Sequence, residues 1–313
     1  MPNQPISGND LARFSGPQTF MRLPAAETAA GLDVGIIGIP MDIGTSWRSG
    51  TRMGPKQLRE QSAMIRPYNI QTGAAPFDGL QVADLGDVAI NTFSLSDTIR
   101  IITRAYDAYL AQDIIPVTLG GDHSLTLPVL RSIAKRHGPV ALIHVDAHAD
   151  VNDTMFGERE THGTFLRRAW EENLVVPDKV FQIGLRGTGY AADDFTEAAG
   201  WGFTQHLAPE LWHKSLAPLA AEIKAKIGDA KTYITYDIDS LDPAFAPGTG
   251  TVEVGGLTTI QGLEIIRGCA GLNLVGCDLV EVSPPYDMAG NTAVIAANYL
   301  FEMLCALPGV RRM

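Results

Sequence analysis

Short apolar runs rich in β-branched residues alternate with amphipathic segments along most of the chain, and this alternation constrains the fold more than any other feature. Strand-like runs fall at 33–40 (DVGIIGIP), 114–121 (IIPVTLGG), 140–145 (VALIHV), 179–185 (KVFQIGL), 231–238 (KTYITYDI) and 273–280 (NLVGCDLV). Helical periodicity covers 54–65, 94–112, 125–137, 162–174, 216–227, 258–268 and 292–307. Pro55 sits near the first turn of one helix, and Ser94 or Ser96 offers an N-cap to another. The apolar strands read as buried on both faces, and their alternation with helices predicts an α/β protein with a parallel sheet covered on both sides. Residues 1–30, rich in Pro, Gly and polar types, read as an irregular N-terminal arm, and 31–313 as one domain without repeats or linkers.

Three of the strand-like runs end in polar clusters, where open parallel sheets gather their ligands. They are TLGGDHS (118–124), HVDAHAD (144–150) and TYDIDSLDP (235–243). Buried carboxylates are costly unless paired, hydrogen-bonded or bound to metal. Side chains alternate along a strand, so Asp146, His148 and Asp150 share a face while the chain stays extended, as do Asp237 and Asp239. A hydrogen-bonded polar turn would account for one such aspartate, but not for three clusters at three strand ends. With His123 the set holds four carboxylates and two imidazoles, too many for one tetrahedral zinc, and no cysteine takes part. An oxygen-rich set of this kind suits two Mn²⁺ ions with two aspartates bridging, a centre able to activate water for hydrolysis.

Composition agrees with a soluble enzyme and narrows its partners. The chain has 45% hydrophobic and 19% charged residues, and a net charge of −11 that argues against nucleic acid or an anionic membrane as partner. Two bound divalent ions would bring the charge to roughly −7. Cys269, Cys277 and Cys305 are few, odd in number and set among apolar residues, which reads as buried free thiols in a reducing compartment. The polar start MPNQPISGND lacks a leader pattern, and a cytoplasmic protein is expected.

GGDH, DAHAD, DIDSLDPAFAPGTGT and EVSPP resemble the signatures of the arginase/agmatinase (ureohydrolase) family, in the family's order, from residue 33 to the end. The resemblance implies a three-layer α/β/α sandwich with a central parallel sheet, making 31–313 a single ureohydrolase catalytic domain. It implies two Mn²⁺ per subunit and hydrolysis of a guanidino group to urea plus an amine. By motif, His123, Asp146, Asp150 and Asp237 would hold one ion, and Asp146, His148, Asp237 and Asp239 the other. Asp146 and Asp237 would bridge. Glu281 would pair with the substrate guanidinium, His162 would exchange protons with solvent, and Asp150 would protonate the departing amine. Val252 stands where the family usually has proline, a change of loop stiffness rather than of chemistry.

The loop NDTMFGERET should bound the pocket for the substrate tail, with Asn152, Met155 and Thr251 as candidate contacts. It lacks the hydroxyl-rich pattern with which arginases bind an α-amino acid. ADVNDTMFGE resembles the guanidino-acid branch, and MIRPYN and GDVAINTF resemble guanidinobutyrases in particular. The expected substrate is therefore 4-guanidinobutyrate. Agmatine is the alternative and 3-guanidinopropionate a weaker one. A non-enzymatic relative predicts a lost ligand, and none is lost. A zinc deacetylase-type site would leave half of the aspartates unexplained. The family further implies a homotrimer or homohexamer, and TFMRLP (19–24) in the arm has the apolar and basic mix suited to docking on a neighbouring subunit.

Overall fold

The computed structural model describes residues 2–189, 191 and 194–313. Its strands are β1 (Val34–Gly38), β2 (Ala74–Ala75), β3 (Val82–Asp87), β4 (Ile115–Leu119), β5 (Val140–Val145), β6 (Val175–Leu185), β7 (Thr204–Leu207), β8 (Lys231–Asp237), β9 (Asn273–Val280) and β10 (Arg311–Arg312). The helices are α1 (Gly54–Ser62), α2 (Pro76–Gly79), α3 (Leu95–Leu110), α4 (Thr126–His137), α5 (Phe165–Glu171), α6 (Glu197–Gly200), α7 (Ala208–Leu211), α8 (Ala217–Ile227), α9 (Thr259–Gly268) and α10 (Asn291–Ala306). Eight strands form one parallel sheet in the order β3-β1-β4-β9-β8-β5-β6-β7, while β10 and β2 pair separately.

Strand parity sorts the apolar side chains into two cores. Val34, Ile36, Ala141 and Ile143 face the layer formed by α1, α8, α9 and α10. Ile37, Ile39, Val140 and Leu142 face α3, α4 and α5. Each fully buried Val, Leu or Ile contributes about 1.5–3 kcal/mol of transfer free energy. The result is the expected three-layer α/β/α sandwich around a parallel sheet.

The six expected strands and seven expected helices are all present, β5 and β9 with the expected ends and the others with ends shifted. Ser94 caps α3 by accepting the Asp97 N–H at 3.2 Å. The helix expected at 162–174 opens instead as a 3-10 turn, His162–Thr164, in which the Thr164 N–H donates to the Thr161 carbonyl at 3.2 Å before α5 begins. Two strands of the sheet, β3 and β7, were not expected. Both are edge strands; β3 loses its burial toward its end and β7 is only half-buried, so neither carries the continuous apolar run that marks an interior strand.

The N-terminal arm corrects one expectation. Phe20, Met21 and Leu23 of TFMRLP are buried within their own subunit. The Phe20 N–H donates to Asp84 at 2.7 Å, and Arg22 donates to the carbonyls of Ile6 and Leu11. Met21 and Arg22 take left-handed φ values of 51° and 58° to make this fold-back. The apolar side chains of the stretch are thus spent on the home sheet and offer nothing to a neighbour. Asp84 also receives Arg59 in a bidentate pair at 2.9 and 3.0 Å, which clamps the arm to α1 and β3.

Candidate active site

The carboxyl ends of β4, β9, β8 and β5 are neighbours in the middle of the sheet. The segments that leave them bring His123, Glu281, Asp237 and Asp146 together. His123 opens a 3-10 turn capped by Asp122, whose side chain accepts the Ser124 N–H. The buried Nδ1 of His123 lies 3.1 Å from Asp146 Oδ2, 3.1 Å from Asp150 Oδ2 and 3.3 Å from Asp237 Oδ2. Its other nitrogen is accounted for. The Thr235 hydroxyl donates to Asp278 Oδ1 at 2.6 Å, so Oγ1 accepts the proton of His123 Nε2 at 2.8 Å. This chain leaves the Nδ1 lone pair aimed at the carboxylates, where it has no hydrogen-bond partner among the described residues.

Asp146 joins this group to a second. Its Oδ1 lies 3.4 Å from His148 Nδ1, which is 3.1 Å from Asp239 Oδ2. His144, from within β5, donates from Nε2 to Asp146 Oδ2 at 2.8 Å. Gln182 sets that tautomer: its amide nitrogen faces both His144 Nδ1 at 3.1 Å and the Ala149 carbonyl at 2.8 Å. Asp237 touches the His123 group through Oδ2, while its Oδ1 accepts the Asp239 N–H at 2.8 Å.

The shared strand face expected for Asp146, His148 and Asp150 does not survive the end of β5 at Val145. His148 turns to Asp239, whereas Asp150 takes a left-handed φ of 54° that returns its carboxylate to His123. Asp239 likewise lies beyond β8, in the 3-10 turn Ile238–Ser240. Convergence comes from tight turns rather than from parity.

The electrostatics of the cluster call for cations. Burial, with repulsion from Asp239 and Asp146, lifts Asp237 well above the ordinary carboxylate range, and burial lifts Asp239 as well. Burial opposes charge on His123 and His148, but the carboxylates around them prevail and raise both pKa values well above the free histidine value, so a proton on His123 Nδ1 stands where a metal cation would otherwise take the lone pair. Asp146, with three histidines around it, is held well below its usual range despite burial. A buried lone pair on His123 facing three carboxylate oxygens, a second carboxylate–imidazole group sharing Asp146, and no cysteine make a donor set that fits oxygen-preferring divalent ions.

A cavity of about 360 Å³ opens over the cluster, with His123, His148, Asp150 and Asp237 in its wall. Asn152, Met155, Thr251 and His162 also line it. Asn152 holds Gly163 O through its backbone N–H and its Nδ2, at 3.1 and 3.0 Å. Gly163 packs against Met155, and a Cβ added there would fall 2.6 Å from Met155 Sδ, so that the thioether would have to move. Thr251 donates to Asp239 Oδ2 at 3.1 Å. Glu281 is 1% exposed and sits behind the wall, its backbone at a left-handed φ of 64°. Its Oε1 accepts the His123 N–H at 2.9 Å and lies 3.5 Å from His162 Nδ1, while the buried Oε2 has no partner among the described residues. Against burial, Glu281, Asp150 and Asp122 raise the His162 pKa.

Sequence reasoning missed several residues of this site. Ser46, Thr188 and Glu253 line the cavity. Arg186 also lines it, but its guanidinium is spent on the backbone carbonyls of Gly184, Asp239, Ser240, Leu241, Glu253 and Val254. It thereby ties the turn after β8 to the loop that carries Thr251. The 152–162 loop is pinned from outside by Arg168 on Asp153 at 2.8 Å and Arg131 on Glu160 at 2.7 Å.

Known proteins share this framework. The chain is 60% identical to a guanidinobutyrase of Pseudomonas aeruginosa, over 99% of this chain and 98% of the relative. It is 53% identical to a mitochondrial agmatinase of Gallus gallus, over 99% and 92% of the two chains. The solved structure of proclavaminate amidino hydrolase from Streptomyces clavuligerus superposes with a TM-score of 0.88 at 38% identity, covering 94% of this chain and 99% of that one. A model of the arginase family matches residues 32–305, a span that runs from the start of the sheet to the last helix and takes in every residue of the cluster, so the chain belongs to the arginase family.

Proposed function

We propose that the protein is a Mn²⁺-dependent ureohydrolase that converts 4-guanidinobutyrate and water to 4-aminobutyrate and urea. The observation that carries this reading is the buried, partnerless Nδ1 of His123 facing three carboxylates beneath the cavity. His123, Asp146, Asp150 and Asp237 would hold one ion, and Asp146, His148, Asp237 and Asp239 the other. When bound, such a pair lowers the pKa of water and offsets charge at the attacked carbon. The Oε2 of Glu281, buried and without a hydrogen-bond partner among the described residues, is the carboxylate oxygen that would receive the substrate guanidinium, a planar cation suited to a fixed carboxylate. Holding the guanidinium in line supplies part of the rate enhancement by orientation alone. Asp150, already in the cavity wall, takes the proton that the attacking water loses and, as the bond from carbon to the tail nitrogen breaks, passes it to the departing amine. His162 then exchanges protons with solvent.

The tail assignment is supported by the 60% identity to the guanidinobutyrase and by Met155, whose thioether lines the cavity where an aliphatic chain would lie. Asn152 and Thr251 would bound the same space. A second reading, agmatine, is favoured by the Glu253 carboxylate on the cavity wall and by the agmatinase relative. Urea release from 4-guanidinobutyrate, 3-guanidinopropionate, agmatine and arginine decides between them. The highest kcat/KM is expected for 4-guanidinobutyrate; a higher value for agmatine would move the assignment, and urea from none would remove it. Residues 31–313 act in this reading as one catalytic domain with 1–30 as its arm. The assembly is a homotrimer or homohexamer in the cytoplasm, and light scattering that gives a monomer at micromolar concentration would refute the assembly. No helix among the described residues is long and apolar enough to cross a membrane.

A further inference from the structure

The loop after β1 grips His162 from two sides. Gly44 O accepts the His162 backbone N–H at 3.3 Å. The Ser46 backbone N–H donates to His162 Nε2 at 3.2 Å, and Ser46 Oγ lies 2.7 Å from the same atom. A backbone N–H only donates, so Nε2 must offer its lone pair, and the proton of the neutral ring then resides on Nδ1. Nδ1 is the atom 3.5 Å from Glu281 Oε1. The loop is itself anchored: the Gly44 N–H donates to Asp122 Oδ2 at 2.9 Å, and an added Cβ at Gly44 would fall 2.6 Å from Ser124 Oγ. The charged groups facing His162 from the surrounding elements are Glu281 after β9, Asp150 after β5 and Asp122 after β4, all acidic.

We infer that Ser46 is a positioning residue that holds His162 in its Nδ1–H form and aims that proton at Glu281. The other tautomer would present a lone pair to a carboxylate and point its proton at a backbone N–H, so both contacts would become repulsive. The inference deepens the proposed function and rests on its reading of His162 as the proton-exchanging group. Ser46 touches neither the reacting carbon nor the ligand cluster in this scheme; it acts through the ring.

Two measurements test it. Histidine-selective ¹⁵N NMR of the metal-free protein, at a pH where the ring is neutral and with His162 assigned by its loss in His162→Asn, should show Nδ1 protonated and Nε2 bare. Ser46→Ala, which keeps the backbone N–H, should retain the Nδ1–H form with one hydrogen bond fewer to Nε2, and Ser46→Pro, which removes that N–H, should mix the tautomers. In the Mn²⁺-loaded enzyme, Ser46→Ala should lower kcat for urea release by about 3- to 10-fold, the worth of one hydrogen bond, with KM and metal content unchanged. Ser46→Thr should recover most of that loss. A wild-type ring protonated on Nε2 overturns the inference, as does a folded Ser46→Pro protein unchanged in tautomer, a Ser46→Ala protein unchanged in kcat, or a Ser46→Thr protein as slow as Ser46→Ala. If the wild type releases urea from no guanidino compound, the functional reading falls separately, and the ring tautomer alone decides the role of Ser46.

Discussion

Thr235→Val tests whether the cluster is built to hold metal or merely tolerates its own charge. Thr235 is fully buried, and valine has nearly its shape, so the change removes one hydroxyl without opening a cavity. Two groups lose their partner: the His123 Nε2–H, which donated across 2.8 Å, and Asp278 Oδ1, which accepted across 2.6 Å. Asp278 Oδ2 keeps Tyr233 and Thr126, at 2.8 and 3.0 Å, so the damage stops at one oxygen. Two orphaned buried groups at about 1–3 kcal/mol each put the loss of stability at roughly 2–6 kcal/mol. The second consequence is specific. Released from Thr235, the imidazole no longer has its ring proton fixed on Nε2, so a proton held on Nδ1 by the three carboxylates competes with an ion for the lone pair. Metal affinity should then fall about 10- to 100-fold, the usual effect of losing a partner behind a ligating histidine. Metal content along a series of chelator concentrations, with thermal melting of the metal-free protein alongside, separates the two effects. A folded Thr235→Val protein that binds Mn²⁺ as tightly as the wild type would refute the reasoning.

Glu281→Gln should cut urea release by at least about 10²–10³-fold, the scale of losing a preorganised charged contact, while metal analysis finds both ions retained; near-native turnover on every substrate would contradict the anchor role. Asp84→Asn should cost about 3 kcal/mol, the lower end for breaking a buried pair, because Arg59 keeps its contact with half-exposed Asp87. Denaturant midpoints at constant slope would measure it. His162 has a folded-state pKa raised above the ordinary 6.5, so its charged form stabilises the metal-free fold fully below that value, and the benefit is lost as pH rises through the raised pKa. The melting-temperature advantage of the metal-free wild type over His162→Asn should shrink over that window, and an advantage that grows with pH would reverse the assigned sign.

The parts of the molecule legible in the sequence are those where one local pattern sufficed. Interior strands announce themselves as apolar runs, and their polar ends named all six ligand candidates because such density of charge has no other use there. Geometry beyond the strand ends was not legible. Asp150 reaches His123 through a left-handed residue, which parity cannot foresee. Some missed residues did carry a signal: Thr235, Asp278 and Gln182 are polar side chains inside otherwise apolar strands, and such residues are retained only when hydrogen-bonded. Ser46 carried none, since 116 positions separate it from the ring it contacts. TFMRLP misled because an apolar loop stretch looks the same whether it docks at home or abroad.

The ligand candidates hang from the four central strands, where every strand has a neighbour on each side, whereas the cavity above them is bounded by the 152–162 loop, fastened by the buried Arg168 and the half-buried Arg131. Changes at 152–161 need not disturb a single ligand candidate, because, of the residues proposed to act in the reaction, only Asp150 and His162 flank that stretch. Mutational drift can therefore sample new substrate tails at little risk to the bond-breaking step. A library confined to 152–161 should yield mostly folded, metal-binding proteins that differ in what they accept, and the same diversity placed at 144–150 should yield mostly inert ones.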